Sequence, residues 1–312
     1  MVVIFALGAA IANALTSILQ RIGVEDAPPE ATLRLGLMTH ALRRAVWVCG
    51  FALMVLSFLF QAIALREGQL SEVQPILTLE LLFLVLVLAL WFRFDVGPRE
   101  YAGALATGAG LAGFLIFASP QEGNVLPPLW EWAVAAGACA TAMGIGVVLA
   151  QRGPRMWRAA MFGTASAIGF AFTAALTKAV GDAVARDWTS VFREPQTYGL
   201  VLFGLASVFL AQNAYHAGPI VASQSTLVLV DPLVSILIGV CLFGDNLRTS
   251  GAWGPLEALA LLILFGGALS LAQSPLVNEA KGGELAPAEH LGGHRQDAAL
   301  PGSASPPPLG RC

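Results

Sequence analysis

Apolar runs long enough to cross a bilayer follow one another along almost the whole chain, residues 45–65 and 69–92 being two of them. The hydrocarbon core of a membrane is about 30 Å thick, which a helix crosses with about 20 residues. A water-soluble helix of that length carries a charged face, and these runs do not. In lipid the backbone has no water to bond, so each run closes its hydrogen bonds internally, as a helix. The chain therefore reads as an all-α, polytopic transmembrane helix bundle. Composition agrees: 56% of the residues are hydrophobic and 12% are charged, against about 25% charged in an ordinary soluble domain. A net charge of -3 offers no basic surface for nucleic acid.

Run length places about nine spans, at residues 2–22, 45–66, 69–92, 99–118, 129–150, 157–181, 197–217, 219–243 and 251–272. Glycine and proline punctuate them, as at Gly68, Gly97-Pro98, Gly153-Pro154 and Gly218-Pro219. No positive segment precedes the first run, so it reads as a retained span and not a cleaved signal. In the polar stretch 30–44, Ala31, Leu35, Met38 and Leu42 recur at helical spacing beside Arg34, His40, Arg43 and Arg44. That pattern suits a short interfacial helix. Residues 1–272 form the expected transmembrane domain. Residues 273–312 contain no aromatic side chain and end in a Ser/Pro-rich stretch, so they read as a disordered cytoplasmic tail.

Orientation follows from the cations. Arg21, Arg34, Arg43, Arg44, Arg93, Arg99, Arg152, Arg155, Arg158, Lys281, Arg295 and Arg311 fall on one side, and the remaining five of the 17 fall on the other. The positive-inside rule then puts the C-terminus in the cytoplasm and the N-terminus outside, in a multi-pass protein of the cell (inner) membrane.

The sixth span lies on the first at an offset of 157: Phe5, Ala10, Ile11, Ala14, Thr16 and Leu19 meet Phe162, Ala167, Ile168, Ala171, Thr173 and Leu176. Near an offset of 150, Gly68 and Gln74 meet Gly218 and Gln224. Repeats of about 1–150 and 157–272, five spans apart, enter the membrane from opposite sides. Inverted repeats of this kind build two half-structures around a midplane site.

Two carboxylates, Glu80 and Asp231, fall near the middles of their spans. A charge at the bilayer centre costs about 2.5–3.5 kcal/mol on insertion scales, so each needs a wet cavity, a partner or a proton. The polar groups available to them are Asn13, Gln20, Gln61, Gln74, Gln212, Asn213 and Gln224. These nine residues are the candidate substrate- or ion-binding set, with a proton, a cation or a substrate amine as the bound species. The plainer alternative is a structural carboxylate satisfied by its neighbours. Pro75 and Pro232 free the carbonyls of Ser71 and Val228, which can face a cavity or merely mark a kink. Small residues four apart, as Ala106 and Gly110 or Gly163 and Ala167, suit close helix contact. The four cysteines show no zinc or disulfide spacing. No HExxH, GxSxG or GxxxxGK[ST] occurs, so neither an enzyme nor a self-bound ATP source is expected, and no cofactor.

The stretch Ala214 to Asp245, with Ala217-Gly218-Pro219, Gln224-Ser225, Asp231-Pro232-Leu233 and Phe243-Gly244-Asp245, followed by Gly266-Gly267-Ala268-Leu269, resembles the second half of the drug/metabolite transporter (EamA-like) superfamily. Residues 45–118 resemble the first half more loosely, through Gln74-Pro75 and the Gly-rich fourth span. The resemblance implies a helical transporter with inverted repeats and a central cavity. Where the usual member has ten spans, this chain shows about nine, and Arg93-Phe94-Asp95 stands in place of a Gly-acid pair after the third. A nine-span plan with its N-terminus outside is similar to the NIPA-type magnesium transporter branch. The expectation is a secondary transporter of small metabolites or drugs, with a magnesium or divalent cation transporter as the alternative. The expected partners are the lipid bilayer and the substrate, with a homodimer left open.

Overall fold

The computed structural model describes residues 1–24, 45–91, 96–119, 127–187, 189–218, 220–247, 253–275 and 277. The chain is all-α, as its apolar runs require. Its described helices are α1 (Val2–Val24), α2 (Ala45–Glu67), α3 (Leu70–Leu77), α4 (Glu80–Leu90), α5 (Pro98–Ala118), α6 (Leu129–Ala150), α7 (Arg155–Arg186), α8 (Pro195–Ala217), α9 (Ile220–Leu242) and α10 (Trp253–Ala272). Helices α3 and α4 run on from one another, so the bundle has about nine rods. Among the described residues eight rods are long and apolar enough to cross a membrane, and α8 adds a shorter apolar stretch over Pro195–Ala211. The interfacial helix expected at 30–44 lies outside the described residues, as does nearly all of the tail.

Proline sets several starts. Pro98 and Pro195 open α5 and α8 at their first turns, and Pro128 and Pro154 stand as N-caps of α6 and α7. The ring's fixed φ suits a helix start, where the missing N–H is not needed. Helix α7 departs from its expected span of 157–181: it runs to Arg186, 32 residues in all. At 1.5 Å per residue that is about 48 Å, so its ends pass beyond a hydrocarbon core. Neither Gly181 nor the polar residues after it stop the backbone ladder.

The rods pack most extensively as α1 on α2, α7 on α8 and on α9, and α5 on α10. The last contact depends on glycine. A Cβ at Gly110 would strike the backbone of Leu264, and one at Gly267 would stand 2.5 Å from the Thr107 nitrogen. Only hydrogen fits where two backbones come this close. Large apolar side chains cover the outside, among them Leu105, Ile116, Val148, Leu202, Phe209 and Leu262. Lipid is the solvent that such a belt requires.

The expected third span is not one continuous helix. Pro75 has no N–H for the carbonyl of Ser71, and the Thr78 hydroxyl donates to the Gln74 carbonyl at 3.4 Å. Past this point the ladder tightens. Leu79 N–H donates to Ile76 O at 3.0 Å and Leu81 N–H to Thr78 O at 3.4 Å, before Phe83 N–H resumes the α pattern to Leu79 O at 2.9 Å. Glu80 therefore opens a new helix, α4, instead of sitting in the middle of an old one. At the other end of the chain, the tail departs at its start from the disorder expected of it. Ser274 Oγ donates to Glu100 Oε1 at 2.7 Å, and Val277 is buried among Leu88, Leu271 and their neighbours. The apolar Val277 and the Glu100 acceptor hold what composition alone reads as tail.

Candidate functional site

A cavity of about 790 Å³ lies between the middles of the rods. Its walls come from α1 (Asn13, Ser17), α2 (Ser57, Phe58, Gln61), the α3–α4 break (Gln74, Thr78, Glu80), α7 (Phe170, Thr173, Thr177) and α9 (Gln224, Asp231). Six of the nine candidate residues meet here: Asn13, Gln61, Gln74, Glu80, Gln224 and Asp231. Asn213 does not. Its Nδ2 donates to Phe209 O at 2.7 Å, on its own helix, as an amide on an outward face satisfies itself. The side chains of Gln20 and Gln212 lie outside the described residues.

The two carboxylates are held differently. Asn13 Nδ2 donates to Glu80 Oε2, a bond that joins α1 to the start of α4. Glu80 also stands in the first turn of α4, where the helix dipole favours an anion. Asp231 lies within α9 and accepts from Ser235 Oγ at 3.3 Å, one turn on. Pro232 follows it and leaves the Val228 carbonyl without its intrahelical donor; Val228 lines the cavity. Gln74 is 4% exposed, and its Nε2 has no hydrogen-bond partner. Among the described residues of the wall there is no lysine, arginine or histidine.

One end of the bundle is fastened by two charged side chains. Lys178 of α7 is buried, and its Nζ donates to Leu65 O at 2.9 Å and Gly68 O at 2.6 Å. It thus holds the carbonyl end of α2, where a cation is favoured. The same Nζ stands 5.9 Å from the Phe243 ring centre, and Phe243 packs edge-on against Trp132. From the end of α9, Asp245 Oδ2 accepts from Ser71 N–H at 3.2 Å and Ser71 Oγ at 2.8 Å, capping the first turn of α3. Gly244, at φ +67°, turns the chain so that this carboxylate reaches back. Gly239 leaves it room, since a Cβ there would stand 2.5 Å from Oδ2.

The sequence marks Gly244-Asp245 as a turn and as part of the resemblance, and Lys178 as one of the five cations on the less basic side. A lysine inside an apolar span was the available signal, because such a group is rare without a partner. Phe58, Phe170 and Thr177 of the wall carry no signal in the sequence, being ordinary residues of apolar helices, and Thr173 appears there only as a repeat match.

Three of the four cysteines lie among the described residues. Cys139 is buried, Cys49 and Cys241 face outward, and all three are free. No group of three or more His, Cys, Asp or Glu that could hold a metal ion occurs among the described residues.

No protein-family profile matches this chain, and neither does a solved structure. The chain is similar to an uncharacterized protein of Corynebacterium glutamicum, 24% identical over 273 residues that span 87% of this chain and 94% of that one. The likeness runs through nearly the whole of both chains, and the relative's name carries neither a substrate nor an activity.

Proposed function

We propose that the chain is a secondary transporter, which carries a small organic solute across a membrane by opening its central cavity to each side in turn. The observation that carries this reading is the position of the cavity. Asn13, Glu80, Phe170 and Asp231 stand at or beside the midpoints of their rods, so the polar wall lies at the depth where burying it in lipid costs most. A polar cavity at that depth is the arrangement a transported solute needs.

The inverted repeat belongs to the same proposal. Pairs related by the two sequence offsets line the cavity together: Asn13 with Phe170 and Ser17 with Ala174 at 157, and Gln74 with Gln224, Leu77 with Leu227 and Leu81 with Asp231 at 150. Packing follows the same scheme, since α1 lies on α2 as α7 lies on α8. Membership of the drug/metabolite transporter superfamily rests on this plan and on the motifs of α9. The proposed orientation puts the N-terminus outside and the C-terminus in the cytoplasm.

Transport of magnesium is the second reading, and the two carboxylates favour it. Magnesium binds through one or two carboxylates and keeps several waters. Six waters at about 30 Å³ each amount to about 180 Å³, and the cavity of about 790 Å³ is several times larger. That room falls within the range of about 300–1,000 Å³ of small-molecule sites, which supports the organic solute.

Reconstitution into proteoliposomes tests the reading. Vesicles preloaded with a mixture of metabolites should exchange one class of solute by counterflow, and Glu80→Gln and Asp231→Asn should each reduce it without loss of folded protein. Full exchange in both variants defeats the assignment of the site. A fluorescent magnesium indicator inside the same vesicles reads the alternative. Absence of any counterflow, magnesium included, defeats the transporter reading.

A further inference from the structure

The chemistry of the wall restricts what the cavity accepts. Both ionisable groups on its described surface are acids, one from each half of the chain: Glu80 and Asp231. The buried cation closest in sequence, Lys178, follows Thr177 of the wall and is directed at the carbonyls of Leu65 and Gly68. An anion entering the cavity would meet two carboxylates and no positive side chain on the described wall. A cation would meet the charge that it needs. Asp231 accepts a single hydroxyl bond, at 3.3 Å, and so has acceptor capacity left for a donor in the cavity.

The rest of the wall separates an organic cation from a metal ion. Phe58 and Phe170 line the cavity together with Leu77 and Leu227. Ring faces attract an organic ammonium group, and apolar walls gain from a hydrocarbon body; neither replaces the water shell of a metal ion. Gln74, nearly fully buried on the same wall with an unpaired Nε2, adds an amide with bonding capacity to spare. Native interiors keep few such groups.

We propose that the cavity binds a small organic amine in its ammonium form, with Asp231 as the principal counter-charge, Glu80 as the second, and Phe58 and Phe170 against the organic body. This rests on the reading of the cavity as a transport site and names the chemical class of its substrate. The primary ammonium group would donate to the carboxylate of Asp231, and no covalent step is involved.

Binding is measured apart from transport, on the full-length protein in detergent micelles, by the rise of its thermal midpoint with ligand and by calorimetry. The probes are phenethylammonium, its uncharged N-acetyl derivative, 3-phenylpropionate and magnesium chloride. Phenethylammonium alone is expected to raise the midpoint. Asp231→Asn should weaken its binding at least tenfold and Glu80→Gln by less, with Asn213→Ala unchanged. If Asp231→Asn does not fold, Phe170→Ala is read in its place, with a loss of at least threefold expected. The proposal is overturned if none of the probes binds, if the N-acetyl derivative or the carboxylate binds as well as the amine, if magnesium binds instead, or if the amine's affinity survives both cavity variants. The two readings fail separately. Amine binding without counterflow sinks the transport reading alone, and counterflow of neutral or anionic solutes sinks this one alone.

Discussion

The rod made of α3 and α4 and the rod made of α9 bring nearly the same equipment to the cavity, a glutamine, a proline and a carboxylate each, yet only the first is broken. Proline alone does not decide the outcome. After Pro75, the Thr78 hydroxyl takes the Gln74 carbonyl, and the ladder shifts to tighter bonds. Back-bonding of this kind bends helices. After Pro232 the next hydroxyl is that of Ser235, and it bonds the Asp231 side chain instead of the backbone. The two acids consequently differ in setting. Glu80 stands at a helix start with an amide donor from α1, whereas Asp231 stands within a helix beside one hydroxyl. One acid is held from a second helix, and the other from its own.

That comparison can be broken from its fastened end. Lys178→Met strips two buried carbonyls of a charged donor at the turn where the broken rod begins, and should lower stability by about 2–3 kcal/mol. Chemical unfolding in micelles measures it, and an unchanged midpoint means that the bonds hold nothing. A smaller effect separates the two prolines. Pro75→Ala restores a donor and should straighten α3 into α4, reducing counterflow about tenfold through misplacement of Glu80. Pro232→Ala, in a rod already continuous, should change it less than about threefold. Equal losses would show that the break has no separate role.

Asp245→Ala removes the side-chain cap of α3 and should cost about 1 kcal/mol in thermal unfolding. A loss confined to Lys178→Met would mean that the turn is held from α7 alone. The smallest effect is expected at Asn213. Its amide bonds only its own helix, so Asn213→Ala should stay within about 0.5 kcal/mol of the parent and leave counterflow intact. A large loss there would place α8 at the cavity and undo the contrast with α2.

Span positions were legible because run length in a bilayer is a direct physical requirement, and the described rods stand where apolar runs do. The acids Glu80 and Asp231 were legible for the same reason: lipid makes a buried charge conspicuous. Gln61 and Asn213 show where legibility ends. Both are amides in helices that are apolar on every side, so the sequence does not say which way either helix is rotated. Gln61 lines the cavity, and Asn213 does not. The break at Thr78 was hidden because Pro75 and Pro232 look alike until the bonds around them are seen. The fastenings of Lys178 to Gly68 and Asp245 to Ser71 join residues 110 and 174 positions apart, and no local pattern announces them.

Helices α5 and α10 meet backbone to backbone at Gly110 and Gly267, and neither contributes to the described wall of the cavity. One comes from the early part of the chain and the other from its last rod. A seam that tight leaves no room for sliding, so the proposed reshaping of the cavity should leave it fixed. Labels placed across α5 and α10 should keep a constant separation while labels on α2 and α9 drift.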